Sequence, residues 1–314
     1  MPTPVTIIMP VYNAERYLAG ALQSLLAQTF SEFQLLAIDD GSTDESLSIL
    51  RRYARHDLRI RIVSRENRGL VATLNEGLHL SRSELVARMD SDDMSLPCRL
   101  EWQVAHMEAH PDVVCLGGYY DLIDHRGRLL TTMKPPTDHA GIEKEMLAGH
   151  TPICHPSAMV RRQIALKAGG YDPSMMLAED LDLWLRMGEL GMLANLPMSL
   201  VRYRLHGASV SERAGLRQRQ TARQACERAW LRRGIQGRFE AEEPARPQAD
   251  RRSRRRFSLL YGWWAFNSGQ RRTALSYGLR AVSLAPWDKE ALRLLVCSAI
   301  KQMPKNNGHG SVPA

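Results

Sequence analysis

Over residues 5–89 short apolar runs alternate with amphipathic stretches, and few folds accommodate that order. Residues 5–9 are a continuous apolar run bounded by prolines, as expected of a buried strand in a parallel sheet. Pro10-Val11-Tyr12-Asn13 follows as a loop. Apolar residues at Tyr17, Leu18, Ala21, Leu22, Leu25 and Leu26 then carry helical periodicity over 15–28. A second strand over 33–38 ends in Asp39-Asp40-Gly41-Ser42-Thr43-Asp44, where Ser42 or Thr43 is placed to cap a helix running to about residue 55. A third strand covers 59–64, Asn67-Arg68-Gly69 opens a third helix over 70–80, and a fourth strand over 84–89 runs into Asp90-Ser91-Asp92-Asp93. Strand, short loop, helix, repeated, builds a parallel, doubly wound α/β sheet. Its crossovers are right-handed, and its ligands bind beyond the carboxyl ends of the strands. The polar clusters at Tyr12-Asn13, Asp39-Asp40 and Asp90 to Asp93 fall on that edge.

Three carboxylates within four residues repel one another unless a cation or solvent compensates them. Hard oxygen ligands of this kind suit Mg²⁺ or Mn²⁺, which sit on one or two carboxylates and take further oxygens from a phosphorylated substrate. An acidic turn leading to Pro97 is the plainer account of the same residues. Read alone, Tyr12-Asn13 is an ordinary turn and Asp39-Asp40 ordinary helix capping. Three separate stretches meeting on one edge favour a binding site.

The ordered set of residues 5–13, Asp39 to Asp44, Asn67-Arg68-Gly69 and Asp90 to Asp93 resembles the nucleotide-sugar half of the family 2 glycosyltransferases. With the second half included, the resemblance spans about the first 210 residues. It implies a GT-A-type, Rossmann-like, mostly parallel sheet with helices on both faces, and inversion at the anomeric carbon. It implies that Pro10, Tyr12 and Asn13 lie at the nucleotide and that Asp40, or Asp39 beside it, accepts a hydrogen bond from the base, uracil by expectation. Asp92 then lies near ribose or cation and Asp93 holds the metal on the diphosphate. Which of Asp90, Asp92 and Asp93 touches the metal stays open.

The alternation breaks after a helix over 97–109 and a strand over 113–118, where residues 121–132 suggest a hairpin turning at Asp124-His125-Arg126-Gly127. Such a break suits an acceptor-facing half. The resemblance places His155 near the donor phosphates; a structural histidine in a Pro-broken loop is the alternative. In Ala178-Glu179-Asp180-Leu181-Asp182-Leu183-Trp184-Leu185-Arg186, the stripe Leu181, Trp184, Leu185 puts Glu179 and Asp180 in a helix's first turn, where the dipole stabilises negative charge. Capping alone would account for that. The resemblance makes Asp180 the catalytic base, with Glu179 as the fallback, and directs Arg204 and His206 toward the diphosphate or metal.

Asp and Glu exceed Lys and Arg by seven over residues 1–201, whereas Lys and Arg exceed them by fifteen over 202–314. The two parts are therefore expected to do different work. Arg251-Arg252-Ser253-Arg254-Arg255-Arg256 ahead of Phe257 to Trp264 suits an interfacial helix on anionic lipid. Residues 265–284 and 288–301 look like one helix-turn-helix of tetratricopeptide type. The expected organisation is a catalytic domain over 1–211 (nucleotide-sugar half 1–96, acceptor half 97–211), an Arg-rich helical connection over 212–239, and a linker over 240–250. A basic helical tail over 251–304 and a disordered end from 305 complete it.

The five cysteines are scattered singly, no basic-then-apolar leader opens the chain, and no apolar run reaches membrane-spanning length. The expectation is a cytoplasmic enzyme, peripheral at the inner membrane face, that moves a sugar from a nucleoside-diphosphate donor to a lipid-linked or polysaccharide acceptor. No nucleic-acid partner is expected. A nucleic-acid-binding protein using the basic tail, or a non-catalytic nucleotide-sugar scaffold, are the competing readings.

Overall fold

A computed structural model describes residues 3–206, 215–242 and 250–304. The end of the expected catalytic domain at 207–211, most of the expected linker and the expected disordered end lie outside these residues. Within them the chain forms two compact units. Of the described residues, the first holds 3–120, 135–203 and 216–242; the second holds 121–134, 204–206, 215 and 250–304.

The first unit opens with β1 (Val5–Val11), α1 (Glu15–Leu26), β2 (Phe33–Asp40), α2 (Ser46–Ala54), β3 (Ile60–Arg65), α3 (Leu70–Leu80) and β4 (Leu85–Arg88). There follow β5 (Met94–Ser95), α4 (Arg99–Ala109), β6 (Val113–Asp124), whose residues from Asp121 belong to the second unit together with β7 (Leu129–Met133), and then α5 (His139–Leu147), β8 (Met159–Arg161) and α6 (Arg162–Lys167). Next come α7 (Glu179–Gly188), β9 (Met192–Leu205) and α8 (Gly215–Arg233). The sheet order is β3-β2-β1-β4-β8-β6-β9-β5, with β7 on β6. Strands β3, β2, β1 and β4 are parallel, whereas β8 runs antiparallel to β4 and to β6.

Successive side chains of a strand point to opposite faces, so parity sorts the core. Val5, Ile7, Met9 and Val11 of β1 join Leu35 and Ala37 of β2 and Ala87 of β4 on one face, packed with Leu18, Leu22 and Leu25 of α1 and Leu50 of α2. Ile8 and Val86 face the other way, toward Val71, Leu74 and Leu78 of α3 and Leu181, Trp184 and Leu185 of α7. The sheet thus carries helices on both faces. α3 approaches β1 so closely that a Cβ on Gly77 would stand 2.6 Å from the Ile8 side chain. α8 joins this second face through Ala222, Ala225, Cys226 and Ala229. Its arginines meet acidic partners of the same unit, Arg228 with Asp172 at 2.9 Å and Arg232 with Glu189 at 2.9 Å.

Pro10 and Val11 extend β1 rather than the loop. Pro10 stands opposite Ile38 of β2, but β4 pairs only as far as Ile8, so on that side no ladder partner needs a Pro10 N–H. The sequence gives no warning of the 14-residue β9, which contains Pro197. β5 reaches only Val201 and Arg202, so Pro197 has no partner there to miss its N–H either.

In the second unit α9 (Arg251–Asn267), α10 (Arg271–Leu284) and α11 (Lys289–Ile300) pack on one another. The helix expected over 265–284 is broken at Gly269, whose φ of 77° ends α9 as a left-handed residue does. Leu259, Ala265 and Phe266 of α9 fill a core with Ala274 and Ala281 of α10 and Leu294 of α11. Leu259, from the stretch expected to meet lipid, is thereby used inside this unit, and Arg251, Arg252, Arg254 and Arg256 remain outward. Asp124 orders the hairpin turn: it accepts from Arg128 Nε at 2.7 Å and from Tyr277 Oη at 2.9 Å. Among the described residues no helix is long and apolar enough to cross a membrane.

Candidate active site

Because β1, β2 and β4 are parallel, their carboxyl ends share one edge of the sheet, and the loops there are tied together. Tyr12 is exposed after β1, and Asn13 adopts a φ of 49°. The Asn13 N–H donates to Ser42 Oγ at 3.1 Å, and its Oδ1 accepts from the Thr43 N–H at 2.8 Å. Ser42 and Thr43 are therefore engaged with the β1 loop, and Glu45 stands at the N-cap of α2 without a side-chain capping hydrogen bond.

Both aspartates at the end of β2 are buried. Asp39 accepts from the Ser42 N–H at 3.2 Å and from Ser64 Oγ at 2.8 Å. Asp40 accepts from the Arg68 N–H at 2.8 Å and the Gly69 N–H at 2.9 Å, and pairs with Arg65. Arg65 in turn holds Glu76 at 2.7 Å. Asp40 thus shapes the Asn67-Arg68-Gly69 loop. Gly41, at φ 74°, lies where a Cβ would meet the Asn67 nitrogen at 2.7 Å.

Beyond β4, Asp90, Asp92 and Asp93 each bring one carboxylate oxygen within 4.8 Å of the others. Oxygens that share one octahedral cation at about 2.1 Å stand at most ~4.2 Å apart, so small adjustments suffice and this donor set fits Mg²⁺ or Mn²⁺. Asp93 is buried; Asp90 and Asp92 keep part of their surface open. Burial pushes the Asp90 carboxyl upward, Arg88 draws it back, and the Asp92 charge adds to the rise.

Glu179 and Asp180 begin α7. Leu177, just before them, has a φ of 80°, a conformation costly for a branched side chain, and its N–H donates to Glu179 Oε2 at 2.7 Å. Asp180 Oδ1 accepts from the Leu181 N–H at 2.8 Å. Its carboxyl is raised to about 7, by burial first and then by the charge of Glu179. Asp182 faces inward and binds Arg186 Nε at 3.0 Å, which leaves it a structural part.

His155 Nε2 lies 3.0 Å from Tyr171 Oη, and the imidazole stands edge-on to Trp184 at 5.9 Å. Burial and the Arg88 charge hold it well below the usual histidine range, so it is neutral. Asn75 fixes the Tyr171 backbone through two hydrogen bonds of 2.8 Å. Arg204 and His206 belong to the second unit, where Arg204 Nη1 donates to the Asp124 carbonyl at 3.3 Å.

The residue that sequence reasoning passed over is Arg88. It ends β4, is 5% exposed and pairs with Asp90. Burial works against its charge, but the nearby carboxylates Asp90 and Asp93 more than offset this and raise its pKa. Its field also reaches Glu179 and Asp180. An arginine two places before an acidic turn, in an otherwise apolar strand, was the available signal.

A doubly wound sheet that gathers a compact carboxylate cluster and a second acidic pair beyond its strands is the arrangement of an α/β enzyme. The glycosyl transferase family 2 model matches residues 6–170, and the chain belongs to that family. It is a glycosyltransferase. An uncharacterized glycosyltransferase of Haemophilus influenzae is 34% identical over 230 residues, 70% of this chain and 71% of that one. The O-antigen biosynthesis glycosyltransferase WbnJ of Escherichia coli is 34% identical over 214 residues, 67% of this chain and 83% of that one. Among solved structures, S. aureus TarS 1–349 in complex with UDP superposes with a TM-score of 0.55 at 18% identity, covering 95% of this chain and 89% of that one. This last likeness is one of fold.

Proposed function

We propose that the enzyme transfers a sugar, with inversion, from a UDP-sugar to a hydroxyl of a lipid-linked or polysaccharide acceptor, with help from Mg²⁺ or Mn²⁺. The observation that carries this reading is the convergence of Asp90, Asp92 and Asp93 beside the Glu179–Asp180 pair, with Arg88 in electrostatic reach of both. UDP as donor is supported by the UDP complex of the fold neighbour TarS, and a glycan acceptor by the O-antigen relative.

Tyr12, exposed beside Pro10 and held by the locked Asn13 loop, presents a ring on which a base can stack. Asp39 or Asp40 accepts from the base. Asp92 and Asp93 would hold the cation, with Asp90 beside them. Once bound, it supplies the positive charge that a departing nucleoside diphosphate requires. Neutral His155 would serve the donor phosphates as a hydrogen-bonding group. Asp180 takes the proton of the acceptor hydroxyl as it attacks, and Glu179 is the alternative base. One base opposite the leaving group gives a single displacement, and no carboxylate is required to form a covalent intermediate. The outward arginines of α9 support contact with an anionic membrane surface.

Titration calorimetry with UDP, with and without Mn²⁺, tests the donor site. UDP binding should depend on Mn²⁺ and be lost in Asp93→Ala. Metal-independent binding, unaffected by that substitution, overturns the assignment. A screen of nucleotide-sugars for released nucleoside diphosphate identifies the donor.

A further inference from the structure

The acidic turn and the start of α7 concentrate five carboxylates, those of Asp90, Asp92, Asp93, Glu179 and Asp180. Two buried arginines, Arg88 and Arg99, lie within electrostatic reach of them, and Arg88 is the one that pairs with a carboxylate of the cluster. Its main chain is held in place, since Arg99 Nη2 donates to the Arg88 carbonyl at 2.8 Å. Its side chain leaves β4 on the α7 side and lines an internal cavity with Val86, Val160, Tyr171, Leu183 and Trp184. One end of the guanidinium pairs with Asp90. Arg88 Nε finds no acceptor among the described residues, and neither does Trp184 Nε1 in the same cavity wall. A 5%-exposed guanidinium so poorly served by neutral acceptors is retained by the carboxylates rather than by its own hydrogen bonds.

We propose that Arg88 is a positioning residue that acts as the built-in counter-ion of this cluster: it holds the carboxylates together in the metal-free protein and limits how tightly they take a divalent cation. The inference rests on the proposed cation site. Like charges oppose, so a fixed guanidinium paired with Asp90 weakens the pull of the cluster on Mn²⁺. Asp90 is then the carboxylate whose charge Arg88 offsets most directly. Cation uptake is correspondingly favoured when a diphosphate arrives with further oxygens and negative charge.

The test compares wild type, Arg88→Lys and Arg88→Gln, using Mn²⁺ titration of the nucleotide-free protein and thermal melting with Mn²⁺ or with EDTA. Removing a unit charge a few ångströms away should tighten Mn²⁺ binding by about fivefold or more in Arg88→Gln, while Arg88→Lys keeps wild-type affinity. Arg88→Gln should melt lower than wild type in EDTA and gain more from Mn²⁺ than wild type does. Mn²⁺ binding that is unchanged or weaker in folded Arg88→Gln overturns the proposal. If that variant does not fold in EDTA, folding in Mn²⁺ supports the counter-ion role, and failure in both assigns Arg88 to the core and overturns it. UDP binding is measured in parallel: intact Mn²⁺-dependent UDP binding alongside a failed metal titration removes Arg88's role and leaves the transferase reading standing.

Discussion

At the scale of single residues, the proposed chemistry turns on Asp180. A base works only deprotonated, and a carboxyl raised to about 7 sets where that happens. Transfer should therefore fall as pH is lowered through about 7, which a rate profile in kcat measures. An ordinary surface carboxylate would hold the rate level to about pH 4. Asp180→Asn should bind UDP normally and lose about 10²–10⁴ in kcat; retained transfer would assign the base elsewhere. The same shift has a stability consequence. Between 3.8, the group's ordinary value, and about 7, the native state keeps a proton that the unfolded chain has released. The stability this proton contributes is full below 3.8 and is lost as pH rises through about 7. Asp180→Asn should accordingly melt above wild type at pH 8, as expected where function imposes a destabilising charge.

At the scale of elements, closeness between a helix and a strand is set by what the sequence leaves out. Gly77 lets α3 lie on Ile8, and a methyl there meets a side chain of a central strand at 2.6 Å. Gly77→Ala should cost about 1–3 kcal/mol in urea denaturation, because the Ile8 side chain must shift to admit the methyl. The connections at the sheet edge obey a different logic. Asn13 locks the β1 loop to the β2 loop, and Asp40 builds the loop after β3, so each binding loop is shaped by a side chain from a neighbouring one. The three loops are pre-organised together rather than separately.

At the scale of the whole molecule, each unit has its own core and its own buried polar anchor. In the second unit Tyr277 Oη donates to Asp124, which also binds Arg128. Tyr277→Phe should destabilise that unit by about 1 kcal/mol, read by calorimetric melting, because the buried carboxylate loses a donor. Much of this organisation was legible beforehand. The apolar runs, the 3.6 periodicity and the order of Tyr12, Asp40, Asp93 and Asp180 are local properties, and they determined the parallel half-sheet, α3 over Leu70–Leu80 and the acidic stretches at strand ends. β9, the break at Gly269 and the inward use of Phe266 and Leu259 were not local. They depend on which neighbours stand beside a strand and which faces close against one another. The same holds for Arg88: its sequence gives a charge at a strand end, and only packing against α7 places that charge, desolvated, among five carboxylates. Sequence fixes which groups are present and how they repeat along the chain. The distances and dielectric that would make of those groups the proposed base, cation site and counter-ion arise when β4 and α7, about ninety residues apart, are pressed together.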